Sequence, residues 1–185
     1  MIIAFSGKYK VGKDTAAELV QQETESTGLR VQQLKFAANL KVVVATITGT
    51  SIDDNYSEEG KAKLVPALNK TLGKLQQDVG IILRQHLHPD IWVIPVLQQC
   101  LRGAREGIDL TIISDCRFKN EANAIREAGG KVIRINRDIE SYDGRDPNHI
   151  SETDLDDYPD FDAVILNDGT IEQFRQALIF ALKGF

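Results

Sequence analysis

Apolar residues fall along the chain in two alternating kinds of run. Short, nearly continuous apolar stretches at Ile2–Ser6, Val31–Phe36, Leu110–Ser114, Lys131–Ile135 and Ala163–Leu166 are bounded by turn or polar residues, which predicts strands. Runs without a polar face suit strands covered on both sides, as in a parallel sheet. Between them, longer segments predict helices over Lys13 to about Thr24, Asn39–Thr48, Leu72–His86, Ile91–Arg105, Asn120–Ala128 and Ile171–Lys183. In the last, Ile171, Phe174, Leu178, Ile179 and Leu182 recur at three- and four-residue steps, which puts them on one face for packing on the sheet. Gly129-Gly130 after Ala128 is a helix stop, because glycine takes the left-handed conformation that closes a last turn. The alternation reads as α/β. Two polar regions interrupt it, Gly49–Asn69 and Asp138–Asp162, and read either as insertions over an active face or as ordinary surface loops.

Composition narrows the class. With 185 residues, 42% hydrophobic and 26% charged, the chain can bury one substantial core, so residues 1–185 are expected to form a single domain. No stretch approaches the roughly 20 apolar residues of a membrane span, and the start lacks a charged leader before a long apolar region. No membrane association is expected, and the expected location is the cytoplasm. Cys100 and Cys116 have no metal-ligand spacing, which gives no support to a disulfide or zinc framework. The net charge of −5 argues against a surface that coats nucleic acid, which needs a cationic field. Small molecules are the expected partners.

The chemistry begins at the first strand. Ile2–Ser6 is followed by Gly7-Lys8-Tyr9-Lys10-Val11-Gly12-Lys13 and then by a helical segment starting Asp14-Thr15. Strand, glycine-rich loop and helix come in the order that cradles phosphates: the glycines turn backbone N–H groups inward, and the helix N-terminus adds positive potential. Lys13 can then reach the β- and γ-phosphates, with Gly7, Lys8, Lys10, Val11, Gly12, Asp14 and Thr15 as further nucleotide contacts. The usual motif ends Gly-Lys-Ser/Thr, and the hydroxyl ligates magnesium; here Asp14 stands in its place. Either Asp14 takes a metal role, directly or through water, or Thr15 contacts phosphate while Asp14 caps the helix. Asp115, at the end of a predicted central strand, lies where an open α/β sheet usually holds ligand; it is a candidate for magnesium or acceptor binding, or a helix cap or ion-pair partner of Arg117.

Four blocks resemble the phage-type deoxynucleoside monophosphate kinases, a P-loop kinase family. They are Phe5–Lys8 through Gly12-Lys13-Asp14-Thr15; Leu75–Gly80 with Arg84 and Pro89–Trp92; Ser114–Glu121; and His149–Glu152 with Phe161–Gly169. Parts of the first, third and fourth are also similar to animal-type phosphomevalonate kinases. The resemblance implies a three-layer nucleoside monophosphate kinase-like fold with a central parallel five-stranded sheet, an acceptor-binding insertion at about 49–90 and a lid-like segment at about 137–160. It implies ATP and Mg2+ as cofactors and a deoxynucleoside monophosphate as acceptor, with phosphomevalonate, or a non-catalytic nucleotide-binding switch, as the alternatives. A host-cytoplasm location follows if the chain is phage-encoded, and a homodimer is compatible with it.

For the site, the resemblance puts Arg84 beside the acceptor, with Phe36, Lys41 and Trp92 as further acceptor contacts, although core packing is the competing role for both aromatics. Arg117 is a candidate for gripping the acceptor phosphate, since a guanidinium makes bidentate contacts. Arg137 and Arg145 flank the lid-like segment and are candidates to stabilise the moving charge. Asn167 and Gly169 follow the last strand, where such kinases set backbone against adenine; Asn-Asp-Gly is equally a turn sequence.

Overall fold

The computed structural model describes residues 1–138 and 148–184. In chain order the elements are β1 (Ile2–Ser6), α1 (Lys13–Ser26), β2 (Val31–Leu34), α2 (Ala37–Thr48), α3 (Ile52–Tyr56), α4 (Glu58–Ala62), β3 (Leu64–Val65), β4 (Lys70–Thr71) and α5 (Leu72–His86). They continue with α6 (Val93–Arg105), β5 (Leu110–Cys116), α7 (Lys119–Glu127), β6 (Lys131–Asn136), α8 (Ile150–Thr153), β7 (Ala163–Leu166) and α9 (Ile171–Leu182). Contacts divide the chain into two compact units, Met1–Lys35 with Val96–Phe185, and Phe36–Pro95.

The first unit is built on a parallel sheet in the order β2-β5-β1-β6-β7, so the five strands read from the sequence are the five of the sheet. Alternation along each strand sends successive side chains to opposite faces. On one face Ile3, Phe5, Ile112, Ile133 and Ile135 pack with residues of α1 and α9, and α7 contacts β1 and β6. β1 is central because it is apolar on both sides. The chain leaves it to build β2 and β5 on one flank and β6 and β7 on the other, which makes the carboxyl end of β1 the point where the winding reverses and ligands bind in such sheets. In α9, Phe174 and Leu178 are buried; Ile171, expected on the same face, is exposed because it is the first residue of the helix. The predicted strand Val31–Phe36 ends at Leu34, and Phe36 already has helical backbone at the start of α2.

The second unit folds around Val44, Leu72 and Leu75, with Leu40, Val65 and Val79 packed against them. The polar stretch after Gly49 is more ordered than its composition suggests. Ser51 accepts from the Asp54 amide and Ser57 from the Gly60 amide, so each starts a short helix by satisfying an end N–H. A Cβ on Gly60 would collide with the Asp54 backbone, so glycine lets α4 fold tightly onto α3. Asn55 is fully buried; its Nδ2 donates to Thr50 Oγ1 (3.1 Å) and the Ser51 carbonyl (3.0 Å), and its Oδ1 accepts from Gln76 Nε2 (2.9 Å). The hairpin β3–β4 then leads into α5, capped by Thr71.

Candidate active site

The loop from Gly7 to Lys13 leaves β1 and enters α1, and its backbone departs from ordinary L-residue conformations at Gly7, Lys10 and Gly12 (φ 150°, 57° and 101°). Glycine is required at two of these. A Cβ on Gly7 would run into the Ile135 carbonyl and the Val11 side chain, and one on Gly12 into the Asn167 amide. Asn167 is itself buried, and its Nδ2 donates to the Val11 carbonyl (2.9 Å), so the segment after β7 braces the loop. Gly169 is exposed beyond it and Thr15 half-buried.

Lys13 is 8% exposed, and its Nζ donates to the Lys8 carbonyl at 2.5 Å. Burial, then the positive charge of Arg117, push its pKa down to about 7, against the attraction of Glu152, Asp14 and Asp115. The ammonium therefore sits in a cluster of charges drawn from α1, β5, the turn after β5 and α8. Asp14, at the start of α1, is solvent-exposed. Its Oδ1 accepts from Lys35 Nζ and from Ser114 Oγ, both at 2.7 Å. Its partial burial favours the neutral acid, but these two bonds and the charges of Lys35 and Lys13 outweigh it and hold the carboxyl below its usual range.

Asp115 and Arg117 lie at the carboxyl end of β5 and just beyond it. The first amides before α7, those of Arg117 and Phe118, donate to Glu121 Oε2 (2.8 and 3.1 Å), so Glu121 supplies a cap there. The Arg117 guanidinium donates to the Ser151 carbonyl and to Glu152 Oε1. Glu152 is buried, and its Oε2 accepts from the Tyr9 amide of the loop (2.7 Å). One carboxylate thus joins the phosphate loop to Arg117. Next to it, Asp156 pairs with Lys8 and with the buried Arg134, both at 2.9 Å, and Arg134 also reaches Ser6 Oγ (3.3 Å).

Among the predicted residues, Gly7, Lys8, Lys10, Val11, Gly12, Lys13, Asp14, Thr15, Asp115, Arg117, Arg137, Asn167 and Gly169 belong to the first unit. Lys10 is exposed, its Nζ 5.3 Å from the Tyr9 ring centre, and Arg137 is exposed just past β6. Arg145 lies outside the described residues. Phe36, Lys41, Arg84 and Trp92 belong to the second unit. There Phe36 and Trp92 are buried, and the Trp92 indole donates to the Gly80 carbonyl (3.2 Å). Lys41 lies over the Tyr56 ring (3.7 Å), and Arg84 donates to the Pro89 carbonyl (3.3 Å). Glu152, Asp156, Lys35 and Ser114 were not legible as site residues. Glu152 and Ser114 fall within the resemblance blocks, but nothing local in the sequence shows that contacts 143 and 100 positions away bring them to the loop and to Asp14.

Among the described residues, no group of three His, Cys, Asp or Glu could hold a metal, and no helix is long and apolar enough to cross a membrane. A cation bound mainly through nucleotide phosphates needs fewer protein ligands, and a carboxylate with a hydroxyl beside it fits the oxygen preference of magnesium.

Comparison with known proteins matches this architecture. The chain is similar to the dephospho-CoA kinase from Campylobacter jejuni over 98% of its own length and 95% of that chain, at 19% identity and a TM-score of 0.51, which shows the fold to be that of P-loop kinases. It is also similar to the Mycobacterium tuberculosis APS kinase in complex with AMPPNP and APS, at 16% identity, 98% and 96% coverage and a TM-score of 0.48. In sequence it is 44% identical over 69 residues to a putative deoxynucleotide monophosphate kinase of Acanthamoeba polyphaga mimivirus, a match covering 37% of this chain and 34% of that protein. The family model for deoxynucleotide monophosphate kinase matches residues 67–178, more than half of the chain, and the chain belongs to the deoxynucleotide monophosphate kinase family.

Proposed function

We propose that the chain transfers the γ-phosphoryl group of ATP to a deoxynucleoside monophosphate, giving ADP and the deoxynucleoside diphosphate, and that it does so in the cytoplasm. The observation that carries this reading is Lys13: a buried ammonium at the junction of a strand, a glycine-kinked loop and a helix, donating to the neutral Lys8 carbonyl. A cation held this way gains more by meeting phosphate oxygens than a hydrated surface lysine does, because the surrounding medium screens it less.

The chemistry asks little else of the protein. The attacking oxygen of a monophosphate is already ionised at neutral pH, so positioning and charge stabilisation suffice and no strong base is needed. Lys13 and the loop amides hold the β- and γ-phosphates; Lys8 and Lys10 add charge at the loop rim, and Asn167 and Gly169 border the nucleoside. Arg117, fixed by Glu152, offers a guanidinium to the acceptor phosphate. Arg137 and Arg145 are assigned to the moving charge, and Phe36, Lys41, Arg84 and Trp92 to the acceptor, on the resemblance alone. Asp14 and Asp115 are the residues that would hold magnesium, which when bound neutralises the phosphate oxygens and so favours transfer between two anions.

The test is acceptor-dependent ADP release with a panel of deoxynucleoside and ribonucleoside monophosphates and phosphomevalonate. Turnover with one or more deoxynucleoside monophosphates is expected. Turnover with phosphomevalonate alone, or none with any acceptor, overturns the reading.

A further inference from the structure

In P-loop proteins the hydroxyl that follows the loop lysine, together with an acidic residue from a neighbouring strand, holds the magnesium of the bound nucleotide. In this chain the residue after Lys13 is an acid, Asp14. The hydroxyl is present in the same place but comes from the other side. Ser114, near the end of β5, the strand hydrogen-bonded to β1, donates its Oγ to Asp14 Oδ1 at 2.7 Å. Ser114 is 2% exposed, so its side chain is fixed by the sheet. Asp115 follows it where the register of β5 against β1 shifts between Ile113 and Cys116, and its charge acts on Lys13 together with that of Asp14.

We propose that Asp14 and Ser114 have exchanged the two roles, the helix start supplying the carboxylate and the strand the hydroxyl for the magnesium of the nucleotide bound at this loop. The inference rests on the nucleotide-binding reading above and adds Ser114 to it. The exchange conserves charge and donor type, one carboxylate and one hydroxyl. It also conserves the hydrogen bond between them. A hydroxyl has one hydrogen and two lone pairs; with the hydrogen committed to Asp14, the oxygen lone pairs of Ser114 remain to face a cation or its water. Both bonds to Asp14, from Ser114 and from Lys35, land on Oδ1, so neither uses Oδ2. An exchanged pair also accounts for an otherwise costly choice, a polar side chain almost fully buried at the end of a central strand, where an apolar residue would pack without needing a partner.

The test measures binding rather than turnover: the affinity of Mn2+ for the full chain saturated with ADP, read from the spin-resonance signal of free Mn2+, beside the affinity for ADP without metal by calorimetry. Ser114→Ala is expected to weaken Mn2+ by about 10- to 100-fold while metal-free ADP binding changes by less than about threefold, the range for loss of a group that supports a metal site. Ser114→Thr, which keeps the hydroxyl, is expected to stay within about threefold of the parent for both. The double change Asp14→Ser with Ser114→Asp is expected to bind Mn2+ more tightly than Asp14→Ser alone. Equal Mn2+ affinity in the parent and Ser114→Ala overturns the exchange and leaves the nucleotide reading standing. So does a parallel loss of Mn2+ and metal-free ADP binding in that variant, which marks Ser114 as a tie for α1. A parent chain that binds no ADP overturns the nucleotide reading and the exchange with it.

Discussion

The first unit buries four charged side chains, Lys13, Glu121, Arg134 and Glu152, each at 8% exposure or less, whereas the buried polar side chain described in the second unit is the neutral Asn55. Both units satisfy what they bury, but with different consequences. Asn55 is closed within its own unit by Thr50, Ser51 and Gln76, and such a knot fixes a shape. In the first unit the acids are spent on the protein itself: Glu121 on the start of α7, Glu152 on Arg117 and the Tyr9 amide. Of the two buried cations, Arg134 pairs with the Asp156 carboxylate, whereas the hydrogen bond described for Lys13 ends on the neutral Lys8 carbonyl. Burial of charge is expensive unless it is matched, and the phosphates of the proposed nucleotide would supply that match for Lys13.

The largest effect that would break this contrast is at Lys13. Lys13→Ala is expected to lower acceptor-dependent ADP release by about 100- to 1,000-fold or more, the scale for removing a group that stabilises transition-state charge, without loss of thermal stability, since a desolvated charge is removed with it. Near-parent turnover would mean that the buried ammonium is structural. A smaller effect compares the two kinds of buried polar group by chemical denaturation. Glu152→Ala leaves the Tyr9 amide and Arg117 without their acceptor and is expected to cost about 3 kcal/mol; Asn55→Ala, among neutral partners, is expected to cost about 2 kcal/mol. Loss of nucleotide affinity is expected for the first variant, and equal loss from Asn55→Ala would erase the distinction between the units.

The smallest effect concerns Asp162. Its carboxylate accepts from the Val132 amide (2.9 Å), from Lys131 (3.2 Å) and from Arg126 (2.8 Å). Burial works to raise its pKa, but these partners outweigh it and hold it below the usual value of 3.8. A carboxyl depressed in the folded state contributes stability that is present above its unfolded pKa and lost as pH falls through the folded one. Unfolding followed between pH 6 and pH 2 is therefore expected to show an acid limb below about pH 4, and Asp162→Asn to flatten that limb while costing about 1 kcal/mol at neutral pH. An acid limb unchanged in the variant would assign the loss to other groups.

What was legible depended on how far each cause lies from its effect along the chain. The five sheet strands stood out because a strand buried on both faces has to be apolar throughout, and that condition is local. The loop stood out because Gly7 and Gly12 must adopt backbone angles that glycine alone takes without strain, and the lysine lies between the same two elements. The short helices after Gly49 were hidden, since their caps, Ser51 and Ser57, sit in a stretch whose polar composition reads equally as loop. Asp115 was singled out by its place at the end of a predicted central strand, while the hydroxyl that reaches Asp14 belongs to its neighbour Ser114; which of the two meets α1 is decided only when helix and strand are packed together.

Local physics thus settles the class of fold and the presence of a phosphate loop, because apolar period, glycine conformations and a strand-loop-helix order are written over a few residues each. The partners of the loop are another matter. Glu152 meets Tyr9 across 143 positions and Ser114 meets Asp14 across 100, and a hydrogen bond of under 3 Å depends on which strand lies beside β1 and on where α8 meets the loop. Those are properties of the assembled sheet, so the ionisation of Lys13, the hold on Arg117 and the setting of Asp14 emerge only once the chain has folded.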